Sequence, residues 1–218
     1  MKLSDQTVEV LQNFSSINQS LLFKKGSKLR TVSPQKTVLA EVEVGDVFAQ
    51  DFGIYDLGQF LSALSLIEDP DLDFGDNGMT IGDGNGTALD YRYADASMIV
   101  TPPEKALTLP DVNATFTLSD ENLKSVLQAA RVLGVPEIIV KGEDGKITIS
   151  AGDSKNSSMN SFSRAVGSTD EEFEHVFKVD NMKMMVLEYN VEISSKGISK
   201  FSTADGRVTY FVATESRS

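Results

Sequence analysis

The chain has 218 residues, of which 40% are hydrophobic, a net charge of -12 and no cysteine. The length allows one large domain or two of about 100 residues, and the absence of cysteine excludes disulfides, thiolate metal sites and a cysteine nucleophile. The acidic balance argues against a protein that grips nucleic acid with its whole surface, but it allows a few basic residues to be gathered on one surface.

The first hundred residues are predicted to combine two helices with short strands. Ser4–Phe14 forms an amphipathic helix capped by Ser4, and Asp56–Ile67 forms a second helix with an apolar stripe. The Asp76-Asn77-Gly78 turn indicates a β-hairpin. Alternating or apolar runs predict strands at Ile17–Phe23, Leu29–Val32, Thr37–Val44, Asp51–Ile54, Leu72–Phe74, Met79–Ile81 and Ala88–Tyr93.

The middle of the chain, Met98–Ala114, contains three prolines and has little periodicity. We interpret residues 101–114 as an extended connector. It separates a predicted N-terminal domain, 1–100, from a predicted C-terminal domain, 115–218.

The second half is predicted to contain a long helix, Ser119–Gly134, and a short one, Asp180–Met185. Gly152–Ser161 is polar and is expected to be a mobile loop. Strands are predicted at Thr115–Leu118, Glu137–Lys141, Lys146–Ser150, Phe173–Val179, Tyr189–Ser194, Gly197–Phe201 and Arg207–Ala213.

The long helix has two unlike faces. Its apolar stripe consists of Leu123, Val126, Leu127, Ala130 and Leu133. Lys124, Gln128 and Arg131 recur at i, i+4 and i+7 and share the opposite face, on which no carboxylate lies near them. An ordinary solvated face is one interpretation, and a basic surface that contacts phosphates is the other.

An internal repetition links the two halves. A helix, a proline, a strand, a turn glycine and a second strand follow in the same order around Pro70 and around Pro136. The pattern predicts an α+β protein of two similar domains, each with antiparallel sheets and two helices. Two unrelated α+β units are the alternative.

No catalytic or metal-binding constellation is found. His175 is in phase with Phe173 and Phe177 and is predicted to pack on a strand, and no G-x-S-x-G motif accompanies it. The Asp-rich run at 69–86 lacks the glycine and glutamate of a calcium loop, and its glycines do not match a phosphate loop. The basic cluster at 24–30 is interpreted as solvated turn charges rather than a phosphate site. We therefore predict no metal, no cofactor and no enzyme activity; a hydrolase with paired carboxylates ranks last.

Several stretches resemble one family in the same order along the chain. They are MKLS at 1–4, NFSSIN at 13–18, DFGIYDLGQFLSALSLIED at 51–69 and NMKM at 181–184, with the looser helix-hairpin unit at 119–149. Together they resemble the DNA sliding clamps of large tailed bacteriophages, the trimeric processivity factors of DNA polymerase. The block at 51–69 is the most specific part, and the likeness covers the whole chain.

The resemblance implies a head-to-tail homotrimeric ring around duplex DNA, with sheets outside and helices inside. Four inner helices are expected per subunit: the three long ones and Asp180–Met185. The side chains expected to face the DNA are Lys2, Gln12, Asn13, Gln59, Lys124, Gln128, Arg131 and Lys183.

The resemblance also implies partners. The polymerase and the clamp loader of such clamps dock an apolar peptide near the connector, and late-transcription factors are a further possibility within the family. The matching residues here are Leu107, Leu109, Pro110, Val112 and Phe211, which could equally seal the domain core. No membrane association is expected, and the site of action is expected to be the cytoplasm of the infected host cell. The alternative function is an acidic phage structural or partner-binding module without a DNA role.

Overall fold

The computed structural model describes residues 1–156 and 158–215. The chain forms two compact units, Met1–Glu104 and Lys105–Ser218, which divide inside the predicted connector. Ser157, in the predicted polar loop, and residues 216–218, at the end of the predicted C-terminal domain, lie outside the described residues.

The helices of unit 1 are α1 (Asp5–Ile17) and α2 (Leu57–Ser65). Ser4 caps α1, as predicted, by accepting a hydrogen bond from the Thr7 amide, and Asp56 caps α2. Helix α1 runs one turn beyond its predicted end, because Ile17 continues the spacing of the buried Phe14 and is itself buried. The strand predicted to begin at Ile17 therefore begins at Leu21.

All strand pairs of unit 1 are antiparallel. Strand β1 pairs with β4, β2 pairs with β3, and β5, β6 and β7 form a three-stranded sheet in that order. The strands are β1 (Leu21–Phe23), β2 (Gly26–Val32), β3 (Val38–Phe48), β4 (Phe52–Ile54), β5 (Asp71–Phe74), β6 (Gly78–Gly82) and β7 (Ala88–Arg92). The rings of Phe23 and Phe52 are both buried and stack at 4.4 Å between centroids.

Unit 2 contains α3 (Asp120–Leu133), which packs on β9, β10 and β11. Its strands pair in the orders β11-β10-β9-β12 and β15-β14-β13-β8. They are β8 (Val112–Leu118), β9 (Glu137–Glu143), β10 (Lys146–Gly152), β11 (Phe162–Gly167), β12 (Phe173–Lys178), β13 (Tyr189–Ser194), β14 (Ile198–Ser202) and β15 (Val208–Ala213). The α+β class and the antiparallel sheets agree with the sequence prediction.

The prediction of a helix at Asp180–Met185 is wrong. A single 3-10 turn covers Val179–Asn181 and a non-helical segment follows. Met182 and Met184 are buried on either side of the exposed Lys183, a period of two that an α-helix cannot provide. Among the described residues unit 2 thus has one α-helix, and the prediction of two helices in each domain fails there.

Candidate nucleic-acid interface

The polar face of α3 is exposed along its whole length. Lys124, Gln128 and Arg131 are exposed, while Leu123 and Val126 on the opposite face are completely buried. The ends of the helix are built by local sequence: the Ser119 hydroxyl accepts a hydrogen bond from the Asn122 amide, and Gly134 ends it in the left-handed conformation with φ 64°. The three side chains therefore lie on one continuous helix that is capped at both ends.

The two cations of this face are not neutralised by a neighbour. Within residues 1–156 and 158–215, neither Lys124 nor Arg131 forms an ion pair. Two carboxylates lie one turn before Lys124: Glu121 accepts a hydrogen bond from Arg164 at 3.0 Å, and Asp120 accepts one from the Glu121 amide at 2.8 Å. Seven residues of helix separate the cations by about 10 Å along the axis, roughly three steps of 3.4 Å along one DNA strand. Both charges remain available to phosphates.

Lys183 is exposed on the segment that replaces the predicted fourth helix. Two buried tyrosines hold the backbone of this segment at Met185: the Tyr189 hydroxyl donates to its carbonyl at 2.8 Å, and its amide donates to the Tyr210 hydroxyl at 3.3 Å. Burial, with Tyr210 close by, raises the pKa of Tyr189, so this hydroxyl stays protonated and remains a donor. Side-chain hydrogen bonds thus do the positioning that a helix was expected to do.

The predicted DNA-facing residues of unit 1 have a different electrostatic setting. Gln12 is exposed on α1, but Asp5 and Glu9 share its face at i, i+4 and i+7. Lys2 is exposed and forms an ion pair with Asp69. Asn13 is half-buried.

Helix α2 adds no charge to its exposed face. Gln59 is exposed, and its side-chain oxygen lies 3.4 Å from the Tyr91 hydroxyl. Its neighbours on that face are Ser62 and Ser65. The predicted unit-1 side chains therefore offer phosphates less than α3 does.

The residues predicted to bind partner peptides are not gathered into one cluster. Leu107, Pro110 and Val112 are exposed, Leu109 is half-buried, and Phe211 is buried at 7% exposure. Val112 lies on β8 and Phe211 on β15, with β13 and β14 between them. Three strand spacings separate these two residues by about 14 Å, so the set forms an extended surface at most.

The connector makes hydrogen bonds or an ion pair near both of its ends. The Pro103 carbonyl accepts a hydrogen bond from Arg30 at 2.9 Å. In unit 2 the Asp111 carbonyl accepts from the Ser195 amide at 3.1 Å, and the Asp111 carboxylate pairs with Lys196 at 3.4 Å. Between these points, residues 104–109 make no hydrogen bond or ion pair with the rest of the described chain.

The basic cluster at 24–30 is largely compensated by carboxylates. Lys24 pairs with Asp51 at 2.8 Å, and Arg30 pairs with Glu41 at 2.6 Å. These contacts favour the interpretation as turn and surface charges over a phosphate site. The sequence did not indicate the contact of Arg30 with the connector, because the two lie more than seventy residues apart.

His175 packs as predicted. It is almost fully buried on β12, its Nε2 lies 2.9 Å from the Asn113 side-chain oxygen, and burial lowers its pKa. In the part of the chain that the structure describes, no three His, Cys, Asp or Glu side chains are close enough to hold a metal ion. No helix among these residues has the length and apolar character needed to cross a membrane.

Two exposed strand edges were not anticipated from the sequence. Strands β7 and β11 each have a neighbouring strand on one side only, counting the described residues, as do β2, β5, β8 and β12. Beside β7 lies a groove of about 590 Å³ lined by Leu66 at the end of α2, and beside β11 lies one of about 480 Å³ lined by Val132 near the end of α3. Leu66 and Val132 are 74% and 76% exposed, so each edge is flanked by an unburied apolar side chain.

Known families cover both halves of the chain. The family described as DNA polymerase processivity factor matches residues 3–101. The family described as gp45 sliding clamp, C terminal, matches residues 115–216.

Solved structures agree at the level of the fold. Proliferating cell nuclear antigen (PCNA) of Entamoeba histolytica has a TM-score of 0.70 at 11% identity and covers 96% of this chain and 95% of its own. A. fulgidus PCNA, solved with the C-terminal region of FEN-1 bound, has a TM-score of 0.70 at 18% identity and covers 97% and 95%. These structures share the two-unit α+β architecture of this chain.

Full-length relatives are more similar in sequence. The sliding clamp of Vibrio phage KVP40 is 38% identical over 221 residues, covering 99% of both chains. The sliding clamp of Enterobacteria phage T4 is 31% identical over 226 residues, covering 100% of this chain and 98% of its own. The chain belongs to the family of bacteriophage sliding clamps.

Proposed function

We propose that this clamp closes as a homotrimeric ring around duplex DNA and tethers the phage DNA polymerase for processive synthesis. The exposed, unpaired cations of the α3 face are the observation that carries the proposal. A ring retains DNA by topology, so its contacts need to be few, weak and directed at phosphates rather than at bases. Lys124 and Arg131 fit that requirement, because they present two charges without a groove-reading element.

The acidic remainder of the chain supports the same function. A net charge of -12 repels DNA from most of the surface and leaves the α3 face as a favourable site. Free sliding is compatible with such a surface, because each phosphate contact is individually weak.

We propose that the edges of β7 and β11 make the subunit contact. An unpaired strand edge is a ready partner for another strand, and an exposed apolar side chain beside each edge supplies area to bury. The two edges belong to different units, so the contact is heterologous, and heterologous contacts close into rings when the rotation permits. The β7 edge of one copy would then pair with the β11 edge of the next.

We propose that polymerase and clamp loader dock along the connector, at Leu107, Leu109, Pro110 and Val112. Leu107 and Val112 are exposed apolar side chains, and the backbone groups of residues 104–109 make no hydrogen bond within the described part of the chain, so a partner can use them. The buried Phe211 would contribute through packing. Late-transcription factors are a further partner class for this surface. The clamp is proposed to act as a scaffold without catalysis, in the cytoplasm of the infected host cell.

The mass in solution tests the ring. Light scattering at micromolar concentration is expected to give three times 23.7 kDa. A ring loaded on nicked circular DNA should remain bound through gel filtration and be lost when the DNA is linearised. A monomeric mass together with equal retention on both DNA forms would contradict the proposal.

The subunit contact has its own test. Val132→Glu and Leu66→Glu are expected to leave the fold intact and to lower the mass to that of a monomer, because a carboxylate in a closed edge contact is desolvated. Val47→Glu is the matched control, since Val47 is 67% exposed and lies on β3, which belongs to neither the sheet of β7 nor the sheet of β11. If both edge variants keep the mass of a trimer, the subunit contact lies elsewhere.

A further inference from the structure

We infer that Arg30 is a positioning residue for partner binding, which it serves by holding the start of the connector in the conformation that a partner peptide recognises. The inference rests on the proposed role of the connector as the docking surface. It assigns a function to a side chain that is distant from the connector in sequence and that contacts it through one backbone oxygen.

The connector begins with a segment that lacks hydrogen-bond donors. Pro102 and Pro103 have no backbone N–H, so this stretch can be held by the rest of the protein through its carbonyl oxygens alone. Thr101 and Pro102, each followed by a proline, are also restricted to extended backbone. The segment therefore needs a donor from another element, and Arg30 on β2 supplies it to the Pro103 carbonyl at 2.9 Å.

The donor is itself fixed in place. Arg30 lies opposite Glu41 in the β2–β3 pair, and its Nε donates to the Glu41 carboxylate at 2.7 Å. The terminal nitrogen that reaches Pro103 also lies 2.6 Å from the same carboxylate. A planar guanidinium can serve a carboxylate and a carbonyl at once, and its pairing with Glu41 restricts its rotamer before the connector is engaged.

The free stretch begins directly after this contact. Residues 104–109 make no hydrogen bond with the rest of the described chain, and Leu107 is exposed within them. Without Arg30 the unanchored stretch would lengthen toward Val100, and the connector would sample more conformations. The apparent affinity of a partner falls in proportion to the fraction of molecules in the binding-competent conformation.

Three variants separate this role from a general effect on the sheet. Arg30→Gln removes both contacts. Arg30→Lys keeps a cation opposite Glu41 but lacks the fork that also reaches Pro103. Lys28→Gln is the matched control, because Lys28 is an exposed cation two residues away on the same face of β2, paired in register with Glu43.

Two measurements are made on the full chain. A spin label on Ala106→Cys reports connector mobility, and the absence of native cysteine makes the label unique. Surface-immobilised polymerase of the same phage reports binding. We expect Arg30→Gln and Arg30→Lys to mobilise the label and to weaken polymerase binding about three- to tenfold, mainly through slower association. Lys28→Gln should match the parent protein in both.

The outcomes distinguish the inference from the proposed function. If the parent protein does not bind polymerase, the docking proposal fails, whatever the variants do. If it binds and Arg30→Lys behaves as the parent does, the charge pair rather than the Pro103 contact matters, and the inference is overturned. It is also overturned if the mobility of the label, or the affinity for polymerase, is the same in both Arg30 variants as in the parent protein.

Discussion

Helices α1 and α3 are built alike, but their exposed faces carry opposite charge. Each begins after a serine cap and buries an apolar stripe against its own unit. At the same i, i+4 and i+7 spacing, α1 presents Asp5, Glu9 and Gln12, whereas α3 presents Lys124, Gln128 and Arg131 one turn further from its cap. Both helices carry acids in the first turn, which in α3 are Asp120 and Glu121. The fold alone therefore does not make a helix suitable for phosphates; the residues of a single helical face decide it.

This difference predicts an uneven division of labour between the units. In a ring of three copies, the α3 faces would supply most of the attraction for DNA, the α2 faces would be nearly indifferent to it, and the acidic α1 faces would repel it. A lining that combines attractive faces with neutral and repulsive ones keeps the affinity for DNA low, which suits a protein that slides.

Reversing the charge of the α3 face should have the largest effect. Lys124→Glu combined with Arg131→Glu is expected to reduce retention on circular DNA at least about tenfold and to flatten the slope of log affinity against log salt by about two, because two phosphate contacts are lost. Retention is measured over a salt series, and light scattering checks that the mass is unchanged.

The control for this prediction is Lys146→Glu with Lys155→Glu, which makes the same charge change on exposed residues of β10 and the following loop. Equal losses in both double variants would show that net charge matters rather than the α3 face, and the contrast between the helices would then have no functional meaning.

The converse change should bring α1 closer to α3. Glu9→Lys is expected to tighten DNA binding about three- to fivefold and to steepen the salt slope by about one, since one phosphate contact is gained. Asp73→Lys, on an exposed position of β5, is the control. If Glu9→Lys changes the salt slope no more than this control does, α1 does not face the DNA.

Removing the Tyr189 hydroxyl should have a smaller effect on the second unit. Tyr189→Phe leaves the Met185 carbonyl without its side-chain donor, which costs about 1–3 kcal/mol of unfolding free energy. We expect looser positioning of Lys183 and about twofold weaker retention on DNA. Thermal and urea unfolding measure the first effect. Tyr55→Phe, at an exposed tyrosine, should change neither the unfolding free energy nor the retention on DNA. If Tyr189→Phe also leaves both unchanged, the tyrosines do not position this segment.

The smallest effect concerns the helix caps and depends on pH. Asp46 accepts hydrogen bonds from the Ser4 amide and hydroxyl at 2.8 Å each. Burial raises the pKa of Asp46, but hydrogen bonds from Thr7 and Ser4 outweigh it and leave the pKa lowered. A carboxylate with a lowered pKa stabilises the fold above its unfolded pKa of about 4, and this contribution is lost as pH falls through its folded pKa.

Asp46→Asn should therefore be less stable than the parent protein at pH 7 and more nearly equal to it at pH 3, in urea unfolding. Among the residues that the structure describes, no carboxylate supports the cap of α3 in this way, so Ser119→Ala should cost about 1 kcal/mol at both pH values. A gap between parent and Asp46→Asn that is the same at pH 3 and pH 7 would contradict the role given to this carboxylate.

Local signals account for what could be predicted. Helices α1, α2 and α3 were found because each has a cap and an apolar stripe within one continuous stretch. Strand β11 was missed because Phe162–Gly167 is half-exposed and polar, so it has no apolar run, and its assignment depends on pairing with β10. The prediction of a fourth helix was wrong because its six residues are too few to separate a helical pattern from the period of two that Met182 and Met184 show, and because Tyr189 and Tyr210 hydrogen-bond to that backbone from other strands.

The candidate site divides in the same way. The sequence by itself determined that Lys124, Gln128 and Arg131 lie on one exposed face, because a single helix imposes that geometry. Only the tertiary structure decided that Lys2 forms an ion pair with Asp69 and that Arg164 forms one with Glu121. It also decided that Arg30 donates a hydrogen bond to the Pro103 carbonyl, and that β7 and β11 lie at sheet edges among the described residues. Each of these depends on atoms far apart in the chain, and the distances between such atoms are set by packing rather than by local periodicity.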